Sequence, residues 1–308
     1  MRNSKVNDLK IWIRGEICEP QDALVPVLSA TAQFGINVFE GIRAYYNEET
    51  DKIYLFRAVD HLKRLSQSSH LAQLPLDYDH ETIISTMRKL ILVNRLSGCD
   101  VAFRVTLFGD GIGSWHETEN TNMFIKPTIQ PRRNIESLPS LTASVSSWAR
   151  INDNCMPPRI KLGANYANSR YAYLSAKHAG FDVPIFLDDN GKVSESSGAC
   201  IFLIRDSRLI TPNVSSSILE SITRDTILQI AQELSLIVEE RIVDRTELYL
   251  AEELFLVGTA VEILPIVQVD EYKIGDGKAG KVTLKLLQEY HETVTRKARE
   301  FNNWCIEL

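Results

Sequence analysis

Lys161 sits in the run IKLGANYANS, residues 160–169, among apolar or very small neighbours, with Tyr166 five residues on. A lysine becomes a nucleophile when its ammonium is desolvated, because burial disfavours the charged form and lowers its pKa. Taken alone, the same residue reads as a strand-end lysine that carries its charge out to water. Glu195 lies in VSESSGACIF, residues 193–202, just after an Asn-Gly turn. Gly198 and the serines there let a ligand lie close against the backbone. In SSSILESITRDT, residues 215–226, a Ser-rich approach meets a helix start at Ile222 and Thr223. Free N–H groups and the helix dipole favour a phosphate at such a place. LVGTAVE, residues 256–262, ends an apolar strand in a Gly-Thr-Ala turn, where Thr259 and Ala260 can offer amides to a carboxylate or phosphate. Arg57 falls at a strand-to-helix junction in LFRAVDHLKRL, and a guanidinium suits phosphate.

Each of these has an ordinary reading: a solvated carboxylate, a capped helix, a plain turn, a surface arginine. Together they ask for one molecule, with a phosphate, an amine-reactive aldehyde and a basic ring nitrogen. That molecule is pyridoxal 5′-phosphate.

The elements that must position these residues follow from hydrophobic spacing. Ile53–Phe56 reads as a strand that runs into a helix with Val59, Leu62 and Leu65 on one face. Ile83, Ile84, Met87, Leu90 and Ile91 mark an amphipathic helix. DVAFRVTLFG and NMFIKPTI read as strands, joined by a Gly-rich and then polar loop over 109–122 that carries Trp115 and His116. Residues 130–140, QPRRNIESLPS, hold two prolines and no periodicity, which suits a linker between domains at 1–129 and 141–308. Beyond it come a strand at 141–149, a helix stopped by Gly180, a β-rich stretch over 182–212, and a helix from Thr223 as N-cap. More strands follow over 252–274, and a closing helix runs over 280–304. The sum is an α/β or α+β protein of two domains.

A chain of 308 residues exceeds what one core usually serves, which agrees with that division. The net charge of −6 argues against a general nucleic-acid binder, since phosphate backbones need a basic face. Five scattered cysteines, with no C-x-x-C pair, build neither a zinc site nor a disulfide scaffold, so no metal is expected. The N-terminal residues show no apolar signal core, and no run reaches the length of a membrane span. A reduced, cytoplasmic protein is the expectation.

The segments FGINVFEGIRAYY (34–46), LFRAVDHLKRL (55–65), VSSWAR (145–150), KLGANYANS (161–169), VSESSG (193–198), SSSILESITRDT (215–226) and LFLVGTAVEILPI (254–266) stand in one order over some four-fifths of the chain. In that order the sequence resembles the class IV pyridoxal-phosphate aminotransferases, most of all those acting on branched-chain amino acids. The resemblance implies a fold-type IV enzyme: a smaller N-terminal domain, a larger C-terminal one, the cofactor in the cleft between them, and a homodimer or larger assembly. It implies that Lys161 bonds the cofactor, that Glu195 pairs with the ring nitrogen, and that Tyr166 lies near the ring oxygen. Arg57, Ile222, Thr223 and Thr259 would hold the phosphate. Phe34, Phe39, Arg43, Ala102, Arg104, Gly198, Thr259 and Ala260 fall at substrate positions. The substrates implied are an amino acid and a 2-oxo acid.

The chain departs from the family pattern where substrate is held. Phe34 stands where the family has tyrosine, AFRV replaces YIRP so that Ala102 replaces a second tyrosine, and GACIF replaces GENIF. Arg43 and Arg104 are kept, which favours an L-branched-chain-type enzyme with a shifted pocket. A D-amino-acid aminotransferase, an (R)-amine transaminase or an aminodeoxychorismate lyase would share the cofactor residues, so Lys161 and Glu195 do not separate these readings.

Overall fold

The structure is a computed structural model describing residues 9–117, 119–298 and 301–308. Contacts divide it into two units. The first comprises residues 1–132, 160–164 and 292–308; the second comprises 133–159 and 165–291. The contiguous partition expected from the sequence has no place for two of these segments. One of them carries Lys161.

The first unit is built on a seven-stranded sheet. Its order is Cys305–Glu307, Lys52–Phe56, Asn37–Asn47, Val101–Gly109, Thr121–Ile129, Ile11–Ile13, Glu16–Cys18. Every neighbouring pair in it is antiparallel. Strand residues alternate between the faces, so the register sorts them. Val38, Ile42, Val101, Phe103, Val105, Met123 and Ile125 are buried in one core cluster with Leu62 and Leu65 of the helix Ala58–Leu71 and Met87 and Leu90 of the helix His80–Val93. Leu62 and Leu65 are fully buried, which contributes about 1.5–3 kcal/mol each. The pairs Phe39/Thr106, Gly41/Arg104 and Arg43/Ala102 occupy the other face.

The closing helix stops at Val294, not near 304 as expected. Arg296 and Phe301 take positive φ, and the last residues form a short strand, Cys305–Glu307, on the sheet edge at Tyr54–Phe56.

The second unit carries a nine-stranded mixed sheet. Its main path is Ile237–Arg241, Arg208–Pro212, Cys200–Arg205, Glu253–Gly258, Glu262–Val269, Leu141–Val145, Val183–Leu187, Val193–Ser196. The helices Tyr166–His178 and Ile222–Glu233 belong to it. Its core gathers Ala143, Ile185, Ile201, Leu203, Leu254, Leu256 and Ile266. The helix Ile222–Glu233 is capped by Ser221, whose side chain accepts the Arg224 amide, and not by Thr223. Thr223 is therefore the second helical residue, among the four whose amides have no partner within the helix. Among the described residues, no helix is long and apolar enough to cross a membrane, and no His/Cys/Asp/Glu group is arranged for a metal.

Candidate active site

In the first unit, Lys161 is strung by its backbone between a strand and a helix. Its carbonyl accepts the Phe39 amide at 3.0 Å, and its own amide donates to Ser68 Oγ at 3.1 Å. Val38 bridges Leu162 beside it. Two residues on, a Cβ at Gly163 would collide with the Asn37 side chain, so the glycine lets this segment press against the strand. The amine Nζ lies 5.1 Å from the centre of the Phe39 ring, and the Arg104 guanidinium lies 3.3 Å from the same centre. Lys161, Phe39 and Arg104 therefore form one group. Arg43 and Ala102 are the next register pair on that face; Arg43 is buried and its guanidinium donates to the Gln130 carbonyl. Phe34 stands apart at the end of the short helix Ala30–Phe34 and is 44% exposed.

Beneath the same strand lies a buried ionic cluster that sequence spacing does not reveal. Glu40, fully buried, accepts Arg64 Nε at 2.7 Å and Arg64 Nη2 at 2.8 Å, and its Oε2 lies 2.8 Å from His61 Nδ1. Burial pushes the Glu40 carboxyl up, but Arg64 and His61 outweigh it and hold it well below the usual carboxylate range. Burial lowers His61 despite its bond to Glu40, and the Arg64 and Lys161 charges push it the same way. A neutral His61 then donates through Nδ1, since a carboxylate only accepts. His61, Arg64 and Ser68 share one helix, so the cluster fixes the helix that holds the Lys161 amide.

Arg57 begins that helix in a left-handed conformation, φ 49°. Its amide donates to the Trp304 carbonyl at 2.7 Å, its Nε to Asp60 at 2.7 Å, and its guanidinium lies over the Trp304 ring. The C-terminal return of the chain thus orients it, which could not be read from a helix expected to run past 300.

In the second unit, Glu195 is buried in the strand Val193–Ser196. Arg150 donates to its Oε1, Nε at 3.0 Å and Nη2 at 2.8 Å. The Leu219 amide reaches Oε2 at 3.3 Å, and Cys200 Sγ lies 3.7 Å from that atom. Ser197 Oγ donates to the Ser169 carbonyl, and Arg150 Nη1 to Asn168 Oδ1, both in the helix that Tyr166 begins. The helix that Tyr166 begins is thereby tied to the strand that carries Glu195. The register Cys200↔Val257 sets the Gly198 turn beside the end of the strand Glu253–Gly258. The Thr223 and Thr259 hydroxyls are 3.4 Å apart, so the helix start and the Gly-Thr-Ala turn meet. Ala260 is exposed at that turn. Glu262, buried at positive φ, closes it by accepting the Arg133 amide and bonding His291.

Arg150, Leu219, Ser68 and the Glu40 cluster were not found by sequence reasoning. Arg150 lies in the VSSWAR segment, but nothing in spacing pairs it with a carboxylate 45 residues on. Trp115 is 66% exposed and stacks edge-on with His116, as a solvated loop residue does.

The helix start, the facing threonines and a buried carboxylate backed by arginine suit a phosphorylated, ring-bearing cofactor. Comparison with known proteins gives the class. The family model of the class IV amino-transferases matches residues 37–269, and the chain belongs to that family. It is an aminotransferase with pyridoxal 5′-phosphate as cofactor and the α+β architecture of fold-type IV enzymes. Its relatives narrow the class. The chain is 33% identical over 295 residues to a probable branched-chain-amino-acid aminotransferase of Aquifex aeolicus, covering 95% of this chain and 94% of that one. It is 33% identical over 301 residues to the branched-chain-amino-acid aminotransferase of Escherichia coli strain K12, covering 97% of each. The solved branched-chain amino acid aminotransferase of Thermobaculum terrenum superposes with a TM-score of 0.91 at 39% identity, covering 98% of this chain and 99% of that one.

Proposed function

We propose that the protein transfers the amino group of an apolar L-amino acid of the branched-chain type to a 2-oxo acid such as 2-oxoglutarate. The observation that carries this is the buried Glu195 carboxylate, backed by Arg150, in the unit where Thr223 and Thr259 meet at a helix start. When bound, pyridoxal 5′-phosphate supplies an aldehyde for amines and a ring that stores the electron pair left at the substrate's Cα. The chain supplies the rest. Lys161 would anchor the aldehyde at rest, and its amine, once displaced, would take the proton from Cα as general base. Glu195 would hold the ring nitrogen and Tyr166 the ring oxygen. Arg57, the Ile222 and Thr223 amides and Thr259 neutralise the phosphate.

Phe39, Arg43 and Arg104 face the substrate, with Gly198, Thr259 and Ala260 offering backbone to its carboxylate. Ala102, in register with Arg43, lacks a tyrosine's ring and hydroxyl and opens volume there, which suits donors larger than valine, whereas Phe34 stands apart in this chain and is a substrate position by resemblance alone. The sequence carries the cytoplasmic reading, since its five scattered cysteines have no disulfide-scaffold spacing. Exposed Leu24, Val27, Leu28 and Ile112 belong to a region of the first unit where the Ser29–Ile112 bridge joins their two segments. A second copy of the chain covering it would make the homodimer, and sedimentation at micromolar concentration would read the dimer mass rather than the monomer.

A steady-state panel of donors with 2-oxoglutarate tests the substrate reading. Leucine, isoleucine and larger apolar L-amino acids should be used with similar kcat/KM. If D-alanine or (R)-1-phenylethylamine is the best donor, the reading is wrong. If valine outperforms every larger donor, the enlarged pocket is wrong while transamination of branched-chain donors stands.

A further inference from the structure

Glu195 is loaded unequally. Oε1 takes both Arg150 donors at 2.8 and 3.0 Å, while Oε2, among the described residues, has two long contacts, the Leu219 amide at 3.3 Å and Cys200 Sγ at 3.7 Å. Cys200 has another acceptor at the same distance, the Leu219 carbonyl. Its S–H can turn away from Oε2 when a stronger donor arrives. Arg150 cannot turn. Its side chain is 8% exposed, its amide donates to the Leu187 carbonyl, and its guanidinium also reaches Asn168.

A carboxylate buried against a guanidinium is a closed ion pair and has no need of a further proton. A ring nitrogen meeting that pair must keep its own proton and donate it. Without Arg150, Glu195 would be a lone buried charge, and the proton of the ring nitrogen would neutralise it. We propose that Arg150 is a positioning residue which acts through Glu195 to keep the proton on the cofactor's ring nitrogen. Oε2 is the accepting oxygen, and the Cys200 thiol is the contact that gives way. This rests on Glu195 being the partner of the ring nitrogen.

The test uses holoenzyme reconstituted with cofactor labelled with ¹⁵N in the ring, whose chemical shift reports whether that nitrogen carries a proton. The wild type should show the protonated shift. Arg150→Met should move it to the unprotonated position and lower kcat by about tenfold or more, with KM changed less than about threefold. Arg150→Gln, which keeps a polar side chain, gives the same comparison if the methionine variant does not fold. Arg150→Lys should restore the wild-type shift. In a Glu195→Gln background, Arg150→Met should change the shift no further.

If Glu195→Gln moves the shift and neither neutral Arg150 variant does, the role of Arg150 is refuted and the reading of Glu195 stands. If Glu195→Gln leaves the shift in place, the partner reading fails, and this inference with it.

Discussion

Lys161→Ala should lower kcat/KM for amino-group transfer by about 10⁴-fold or more, since it removes both the anchoring amine and the general base. The fold should be unaffected. The backbone bonds of Lys161 to Phe39 and Ser68 do not involve its side chain, and the residue is only partly buried. The cofactor should still bind, more weakly, through the groups assigned to its phosphate. The visible absorbance of the bound cofactor should change shape, and amino-acid donors should no longer bleach it at a useful rate. A loss of less than about a hundredfold would mean that another group removes the Cα proton.

Glu40→Gln should destabilise the protein by about 3–5 kcal/mol, because it leaves the Arg64 guanidinium buried without its counter-charge. Urea unfolding at neutral pH measures this, and a loss below about 1 kcal/mol would show that the cluster contributes little to stability. The effect should depend on pH in a set direction. The Glu40 carboxyl titrates lower in the folded protein than its ordinary value of 4.5. Its contribution is thus fully present above 4.5 and is lost as pH falls below that value toward the lower folded one. The gap between wild type and variant should accordingly narrow as the solution is acidified below 4.5. A gap that widened in acid would contradict the assignment.

What the sequence disclosed differs by kind of feature. Helices at 58–71 and 80–93 were legible because most of their apolar residues recur at helical spacing and pack into one core, although Val59, expected on the face of Leu62 and Leu65, is exposed. The roles proposed for Lys161, Glu195 and the Ile222–Thr223 helix start rest on their segments taken jointly. Each segment is ambiguous by itself, and the family order of all seven removes the ambiguity. Pairings across long separations were not legible. Arg150 meets Glu195, Arg64 meets Glu40, and Cys305 pairs with Phe56, and each depends on a tertiary approach that no local period records. The end of the last helix was missed for a related reason. Neither glycine nor proline marks the stop after Val294, and a strand of three residues is too short to show alternation. Ser221 rather than Thr223 caps its helix because the Ser221 side chain reaches the Arg224 amide three residues on, a geometry either residue type satisfies.

Whether Lys161 holds the cofactor is read out by borohydride reduction of the holoenzyme followed by peptide mass mapping. Reduction fixes the cofactor covalently to whichever lysine bears it. One phosphopyridoxyl group is expected, on Lys161, in the peptide that contains the GANYANS run. A label on a different lysine, or a reduced holoenzyme with no labelled peptide, would contradict it.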